Sequence, residues 1–177
     1  IGQGYIQTTP IQLCLMTAQI ANGGYKIYPH IVVNNDVKAQ PSDKYMPLYE
    51  NSNNIKIVKD AMFGSTNEVM GTSYRSRIDD PKYQFAGKTG TAQVKKITER
   101  ERELDLKTFE IPYEERDHAL YVAFGPYKNP RYALSVIVEH GGNGSTTAAP
   151  MATKLFKLII DRHKIRQSMD EKKYLEI

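Results

Sequence analysis

The sequence predicts an α+β fold in which an antiparallel sheet is flanked by helices, and three observations carry that prediction. Segments 83–95, 118–125 and 131–140 are rich in Val, Ile, Tyr, Phe and Ala, as strands are. The last two are joined by Pro126-Tyr127-Lys128-Asn129-Pro130, a turn composition that makes them consecutive antiparallel strands. In the third strand Tyr132, Leu134, Val136 and Val138 alternate with Ala133, Ser135 and Ile137, so neither face is strongly polar and helices are expected on both sides. A chain of 177 residues, 40% hydrophobic and 25% charged, is of ordinary globular composition and long enough to bury a core as one domain.

The elements follow in order. Thr8 and Thr9 offer an N-cap and Pro10 suits the first helical position. Ile11, Cys14, Leu15 and Ala18 then recur at helical spacing until Asn22-Gly23-Gly24, which predicts a helix over 9–22. Segment 25–33 is aromatic and β-branched and is predicted as a strand, and 34–54, polar with two prolines, as a surface excursion. A second helix is expected from about Asn54, with Ile55, Val58 and Met62 on one face, stopping at Gly64. Segment 65–82 reads as short helix and loop. Between the first two sheet strands, 95–117 is dense in charge (Glu99, Arg100, Glu101, Arg102, Glu103, Asp105, Lys107) and is predicted to be a solvated hairpin extension. Gly141-Gly142-Asn143-Gly144 makes a turn, after which Ser145, Thr146 or Thr147 caps a helix. Its stripe of Met151, Leu155, Leu158 and Ile159 is expected to pack on the sheet, and 162–177 forms a charged, fraying tail.

Composition excludes several classes of function. The single Cys14 rules out a disulfide framework and a Cys-rich zinc site. His30, His118, His140 and His163 lack ligand spacing, so neither a metal nor a cofactor is expected. The 24 basic residues are interspersed with 20 acidic ones, which gives no basic stripe for nucleic acid. There is no run of eighteen apolar residues to span a membrane. The chain opens Ile1-Gly2-Gln3-Gly4 without an initiator methionine and is expected to be part of a longer protein.

The sharpest chemical signal is Phe85-Ala86-Gly87-Lys88-Thr89-Gly90-Thr91-Ala92-Gln93-Val94. A Lys-Thr-Gly triplet arises by chance in roughly one chain in twenty-five of this length. Here it lies in a predicted strand and follows a glycine. Strand alternation sets Lys88 and Gly90 towards one face and Thr89 and Thr91 towards the other, so a ligand touching both must lie along the strand's edge. An edge strand accepts an extended peptide as a further strand, and Gly90 removes a side chain where such a peptide approaches. Lys88 supplies fixed positive charge, the Thr89 hydroxyl a donor for a carboxylate, and the Thr91 backbone N–H a donor for a developing oxyanion. Those parts suit acyl transfer on a peptide. The triplet alone is equally compatible with a solvated strand lysine between two turn glycines.

S-x-x-K, S-D-N and K-T-G together mark serine β-lactamases and penicillin-binding proteins, and Lys88-Thr89-Gly90-Thr91 matches the last of the three. Ile1-Gly2-Gln3-Gly4-Tyr5, Thr8-Thr9-Pro10-Ile11-Gln12, Asn22-Gly23-Gly24, Gly71-Thr72 and Gly87 to Gln93 occur in an order that resembles the C-terminal part of class B penicillin-binding protein transpeptidase domains. Arg116-Asp117-His118-Ala119, Phe124-Gly125-Pro126-Tyr127 and Glu139-His140-Gly141-Gly142 are most similar to the elongation type. The likeness covers nearly the whole chain, 1–177, and implies a β-lactamase/transpeptidase-like but incomplete domain.

The resemblance implies a D,D-transpeptidase that crosslinks peptidoglycan stem peptides through an acyl-serine intermediate and is acylated by β-lactam antibiotics. It implies that Lys88 gives electrostatic assistance, that Thr89 binds the carboxylate of substrate or penicillin, that Thr91 completes the oxyanion hole, and that Gly90 lies in the same substrate-binding strand. It further implies partnership with a glycosyltransferase and other wall-elongation proteins. The implied location is the periplasmic face of the bacterial inner membrane, with anchoring by an N-terminal segment that this chain does not contain. The nucleophile and base do not carry over, because none of Ser42, Ser52, Ser65, Ser73, Ser76, Ser135, Ser145 and Ser168 has a lysine three residues on. Ser52-Asn53-Asn54 and Ser65-Thr66-Asn67 match S-x-N but lie downstream of Gly2-Gln3-Gly4, where the family's motif lies upstream, and are taken as chance matches. The chain alone is therefore expected to be inactive. Two other readings stay open: a non-catalytic module that holds stem peptides or a morphogenesis partner, and a β-lactamase or β-lactam sensor on the same scaffold.

Overall fold

The computed structural model describes residues 6–31, 46–95 and 106–175. Helix α1 spans Pro10–Ala21. Its start is a capping box: the Gln12 N–H donates to Thr9 Oγ1 at 3.4 Å while the Thr9 N–H donates to Gln12 Oε1 at 2.8 Å. It ends where Gly23 (φ 98°) and Gly24 (φ 87°) take left-handed conformations that reverse the chain. Helix α2 spans Ser52–Asn67 and is capped by Asn51, whose side chain accepts from the Asn53 N–H at 2.9 Å. It begins slightly earlier than its apolar face predicts, and it continues one turn past Gly64.

Strands β1 (Ala86–Ala92), β2 (His118–Gly125) and β3 (Tyr132–Val138) form one antiparallel sheet in that order. β1 is opposite β2 with Gly87 facing Ala123, Thr89 facing Tyr121 and Thr91 facing Ala119. A single irregular turn at Gly144–Ala148 leads into the last helix, α3 (Ala149–Leu175).

Both faces of the sheet are covered, as the apolar alternation of β3 predicts. On one face Phe85, Ala119, Tyr121, Ala123 and Leu134 pack against Ala149, Ala152, Phe156 and Ile160 of α3. Phe156 stacks on Phe85 with ring centroids 4.9 Å apart. On the other face Ala86 and Phe124 meet Ala21 of α1 and Met62 of α2.

Two expectations are corrected. Segment 25–33 is not a strand among its described residues: Tyr25 makes a lone bridge with Pro47, and Ile31 is fully exposed. Its first residues are joined to the chain at 46–48, where the Lys26 N–H donates to the Met46 carbonyl and the Leu48 N–H to the Gly24 carbonyl, each at 2.8 Å, and Pro29 cannot donate to a continued ladder. The stripe by which α3 packs is not Met151, Leu155 and Leu158, which are exposed, but Ala152, Phe156 and Ile160. The fully buried alanines 148, 149 and 152 let the helix sit close to the sheet, and a face of bulky aliphatics would hold it away. Of the predicted hairpin extension, 96–105 lies outside the described residues, and the remainder holds two 3-10 turns, Thr108–Glu110 and Tyr113–Glu115.

The β2–β3 turn is tied to α2. Tyr127 packs on Phe63 (4.3 Å between centroids) and its hydroxyl donates to Asp60 Oδ1 at 2.6 Å. Burial, and then the neighbouring Asp60 carboxylate, pushes the Tyr127 phenol up to about 12.

Two outcomes are expected. Phe156→Ala removes a fully buried ring from the α3 face and lowers unfolding free energy by about 3–5 kcal/mol, read by urea denaturation. The raised phenol means that the folded state holds its proton more tightly than the unfolded one, whose phenol titrates near pH ~10. The stabilisation is complete below that pH and is lost as pH rises towards about 12. Tyr127→Phe flattens the fall in stability over this alkaline interval, whereas an unchanged slope would assign it to other groups.

Candidate active site

Among the described residues β1 pairs on one side only, so its other side is an outer edge of the sheet. The first part of that edge is occupied by the end of α2. Asn67 Nδ2 donates to the Phe85 carbonyl at 2.9 Å, and Thr66 Oγ1 stands 3.5 Å from the Gly87 carbonyl. Alternate residues of a strand turn their backbone groups to the same edge, so those of Thr89 and Thr91 follow along it. Lys88 bends to this edge as well: its ammonium lies 3.0 Å from both the carbonyl and the hydroxyl of Thr89. The side chains of Lys88 and Thr91 are exposed and that of Thr89 is half-buried.

The glycine before Lys88 has a steric cause. A Cβ on Gly87 would come 2.6 Å from Cζ of Tyr121. Tyr121 is fully buried and its ring crosses the strand at this glycine, so that its hydroxyl reaches Thr66 Oγ1 at 2.9 Å and Ser73 Oγ at 3.0 Å. Burial raises the phenol's pKa, and the two hydroxyl partners pull it part of the way back. Gly90 has a different surrounding from the one its sequence position suggests. A Cβ there would meet Cβ of Leu120 at 3.2 Å, a neighbour within the sheet, while Gly144 brings the turn before α3 so close that its own Cβ would lie 2.7 Å from the Gly90 carbonyl oxygen. The third motif residue is thus packed between Leu120 of β2 and the entry of the last helix.

The segment after α2 folds back onto it. A Cβ at Gly71 would lie 2.5 Å from the Gly64 carbonyl oxygen, so only glycine fits this close approach. Ser73 donates to the Ser65 carbonyl from both its N–H and its hydroxyl, each at 3.0 Å. Between these two anchors Thr72 points towards β1, with its hydroxyl 3.4 Å from that of Thr89 and 3.2 Å from that of Ser65.

Of the residues singled out by sequence, Lys88, Thr89, Gly90 and Thr91 are contiguous on this edge. Ser52-Asn53-Asn54 starts α2, and its residues are exposed. Ser65-Thr66-Asn67, by contrast, forms the turn of α2 that supports β1. His118 and His140 are brought together, with the His140 N–H donating to His118 Nδ1 at 2.9 Å, beside the far end of β1 where His118 faces Ala92. Among the described residues no group of three or more His, Cys, Asp or Glu side chains converges. Cys14 donates to the Ala133 carbonyl, and burial raises its thiol pKa, away from the thiolate a nucleophile needs. Tyr121, Thr66 and Ser73 escape sequence reasoning because register and close approach, not local pattern, bring them to β1. Thr72 had a signal in the Gly71-Thr72 pair, but no role attached to it.

Residues 1–159 match the family described as the penicillin binding protein transpeptidase domain. The chain belongs to that family. Among its relatives, the peptidoglycan D,D-transpeptidase MrdA of Salmonella typhimurium (strain SL1344) is 35% identical in an alignment that covers 91% of this chain and 26% of that protein. The protein of the same name from Haemophilus influenzae is 34% identical in an alignment that covers 92% of this chain and 25% of its own length. Among solved structures, the penicillin-binding protein PBP2 of Helicobacter pylori, in its complex with MreC, superposes with a TM-score of 0.72 at 31% identity, covering 91% of this chain and 26% of that one. Pseudomonas aeruginosa PBP2 in complex with WCK 5153 gives 0.66 at 34% identity, covering 89% and 32%. The antiparallel sheet with flanking helices is thus that of penicillin-binding transpeptidase domains, and the chain spans about a quarter of the length of the curated relatives it matches.

Tyr121→Phe deletes one hydroxyl from the cluster and leaves those of Thr66 and Ser73 with weaker partners. Urea denaturation is expected to show a loss of about 1–2 kcal/mol; no loss would mean that water replaces the phenol.

Proposed function

We propose that this chain is the substrate-binding part of a peptidoglycan D,D-transpeptidase that crosslinks stem peptides through an acyl-serine intermediate, with the nucleophile and its base outside these 177 residues. The observation that carries the reading is the strand Lys88-Thr89-Gly90-Thr91 on an outer sheet edge, with the Lys88 ammonium 3.0 Å from the Thr89 hydroxyl. Family membership and the names of the relatives support the same reaction class.

In this reading a stem peptide adds to the β1 edge as an extended strand. Its terminal carboxylate accepts from the Thr89 hydroxyl within the positive field of Lys88. The serine oxygen bonds to the peptide carbonyl carbon, and the charge that develops on the carbonyl oxygen is met by the Thr91 backbone N–H. Collapse breaks the peptide C–N bond, and the serine's proton passes to the departing amine. The amine of a second stem peptide then attacks the ester, which forms the crosslink and releases the serine. Gly90 contributes backbone alone. β-Lactams enter by the same first step and stop at the ester. The chemistry requires no metal and no cofactor.

The wider protein is proposed to act with a glycosyltransferase and other wall-elongation proteins at the periplasmic face of the inner membrane. The Helicobacter pylori relative occurs in a complex with MreC, which supports partners of that kind. Among the described residues no helix is long and apolar enough to cross a membrane.

Fluorescent penicillin tests the reading. The 177-residue chain is expected to stay unlabelled, while a chain extended upstream through S-x-x-K labels stably, and Lys88→Ala slows that labelling about 100-fold or more. No label on the extended chain would favour a non-catalytic module, and rapid release of hydrolysed antibiotic would favour a β-lactamase.

A further inference from the structure

We propose that Thr72 is a positioning residue for the carboxylate site, acting through Thr89 as the middle member of a hydroxyl chain that runs Ser65, Thr72, Thr89. The assignment rests on the transpeptidase reading given above.

The geometry of the backbone carries the first part of the argument. Thr72 has an exposed side chain, yet it is set on fixed ground. Gly71 before it is pressed against the carbonyl groups of Gly64 and Ser65, and Ser73 after it is buried and bonded to Ser65 and to the Tyr121 hydroxyl. Thr72 is held between two anchors, with its hydroxyl 3.4 Å from Thr89 Oγ1 and its far side 3.2 Å from Ser65 Oγ.

Proton counting carries the second part. The Thr89 hydroxyl has one proton and two lone pairs. Lys88 has donors only and takes up one lone pair at 3.0 Å. Thr72 stands at the second. If Thr72 donates to Thr89, both lone pairs are filled and the single Thr89 proton is directed outward, to whatever anion lies on the β1 edge. Ser65 donating to Thr72 fixes the same polarity one step further back, and each bond in such a chain strengthens the next. The 3.4 Å separation is longer than a formed O–H···O bond; an anion that draws the Thr89 proton makes its oxygen a better acceptor and closes the gap. Thr72 therefore touches no reacting atom. It sets which way the Thr89 hydroxyl points.

Thr72→Val keeps the shape and removes the hydroxyl, and Thr72→Ser restores it. In the upstream-extended protein, the second-order acylation rate is measured with benzylpenicillin and with its methyl ester, which lacks the carboxylate. Thr72→Val is expected to slow benzylpenicillin roughly three- to tenfold, to leave the ester's rate unchanged, and to add nothing in a Thr89→Val background; Thr72→Ser is expected to match the parent. A fault in folding would slow both antibiotics alike. If Thr72→Val reacts with benzylpenicillin at the parent rate, or loses equally with acid and ester, the assignment is overturned while the transpeptidase reading stands. A parent that neither compound acylates overturns that reading, and the assignment with it.

Discussion

A phenol buried beneath a glycine fixes the functional end of this molecule. Tyr121 is wholly removed from solvent, and a buried hydroxyl left without partners costs the folded state several times what a formed hydrogen bond returns. Its two partners come from different places in the chain, Thr66 at the end of α2 and Ser73 in the segment that follows. One oxygen thereby ties β2, α2 and the returning loop together. β1 is threaded between them, and Gly87 is the point where the ring passes. The register that sets Tyr121 opposite Thr89 then locates the Lys-Thr-Gly strand relative to all three elements.

The remainder of the packing stiffens that arrangement. α3 approaches through alanines and Phe156 on one face, and α1 and α2 close the other through Ala21 and Met62. Gly144 carries the entry of α3 up to the backbone of Gly90 and Leu120, so the motif strand is supported from behind over its length. Binding groups on a strand clamped in this way keep their geometry better than groups on a free loop.

Much of this was legible in sequence, for reasons specific to each element. α1 announces itself because Thr9, Pro10 and Gln12 are local capping chemistry, and β2 because its apolar run is bounded by turn residues. The Lys-Thr-Gly strand was legible because its residues are contiguous. What was not legible depended on distance. Bulk alone points to the wrong face of α3, because closeness to the sheet selects Ala149 and Ala152. Segment 25–33 has strand composition, yet its described residues form only a lone bridge, from Tyr25 to Pro47. Ser65-Thr66-Asn67 was set aside as a chance match to a catalytic motif, and proves to be the turn on which β1 rests. No pattern within a window of sequence contains the Tyr121 crossing, since Thr66 and Tyr121 lie 55 residues apart.

The capped edge of β1 bears also on solubility. An uncovered strand edge is a template for any extended chain, including another copy of itself, and is a common start of aggregation. Here Asn67 takes the carbonyl of Phe85 and Thr66 stands beside that of Gly87, which leaves too short a ladder for a sheet to propagate. Lys88 stands where the remaining ladder begins, and lysine on an edge discourages like-charged strands from joining. With part of its length capped and Lys88 standing on the rest, the edge of β1 is thus guarded against copies of itself.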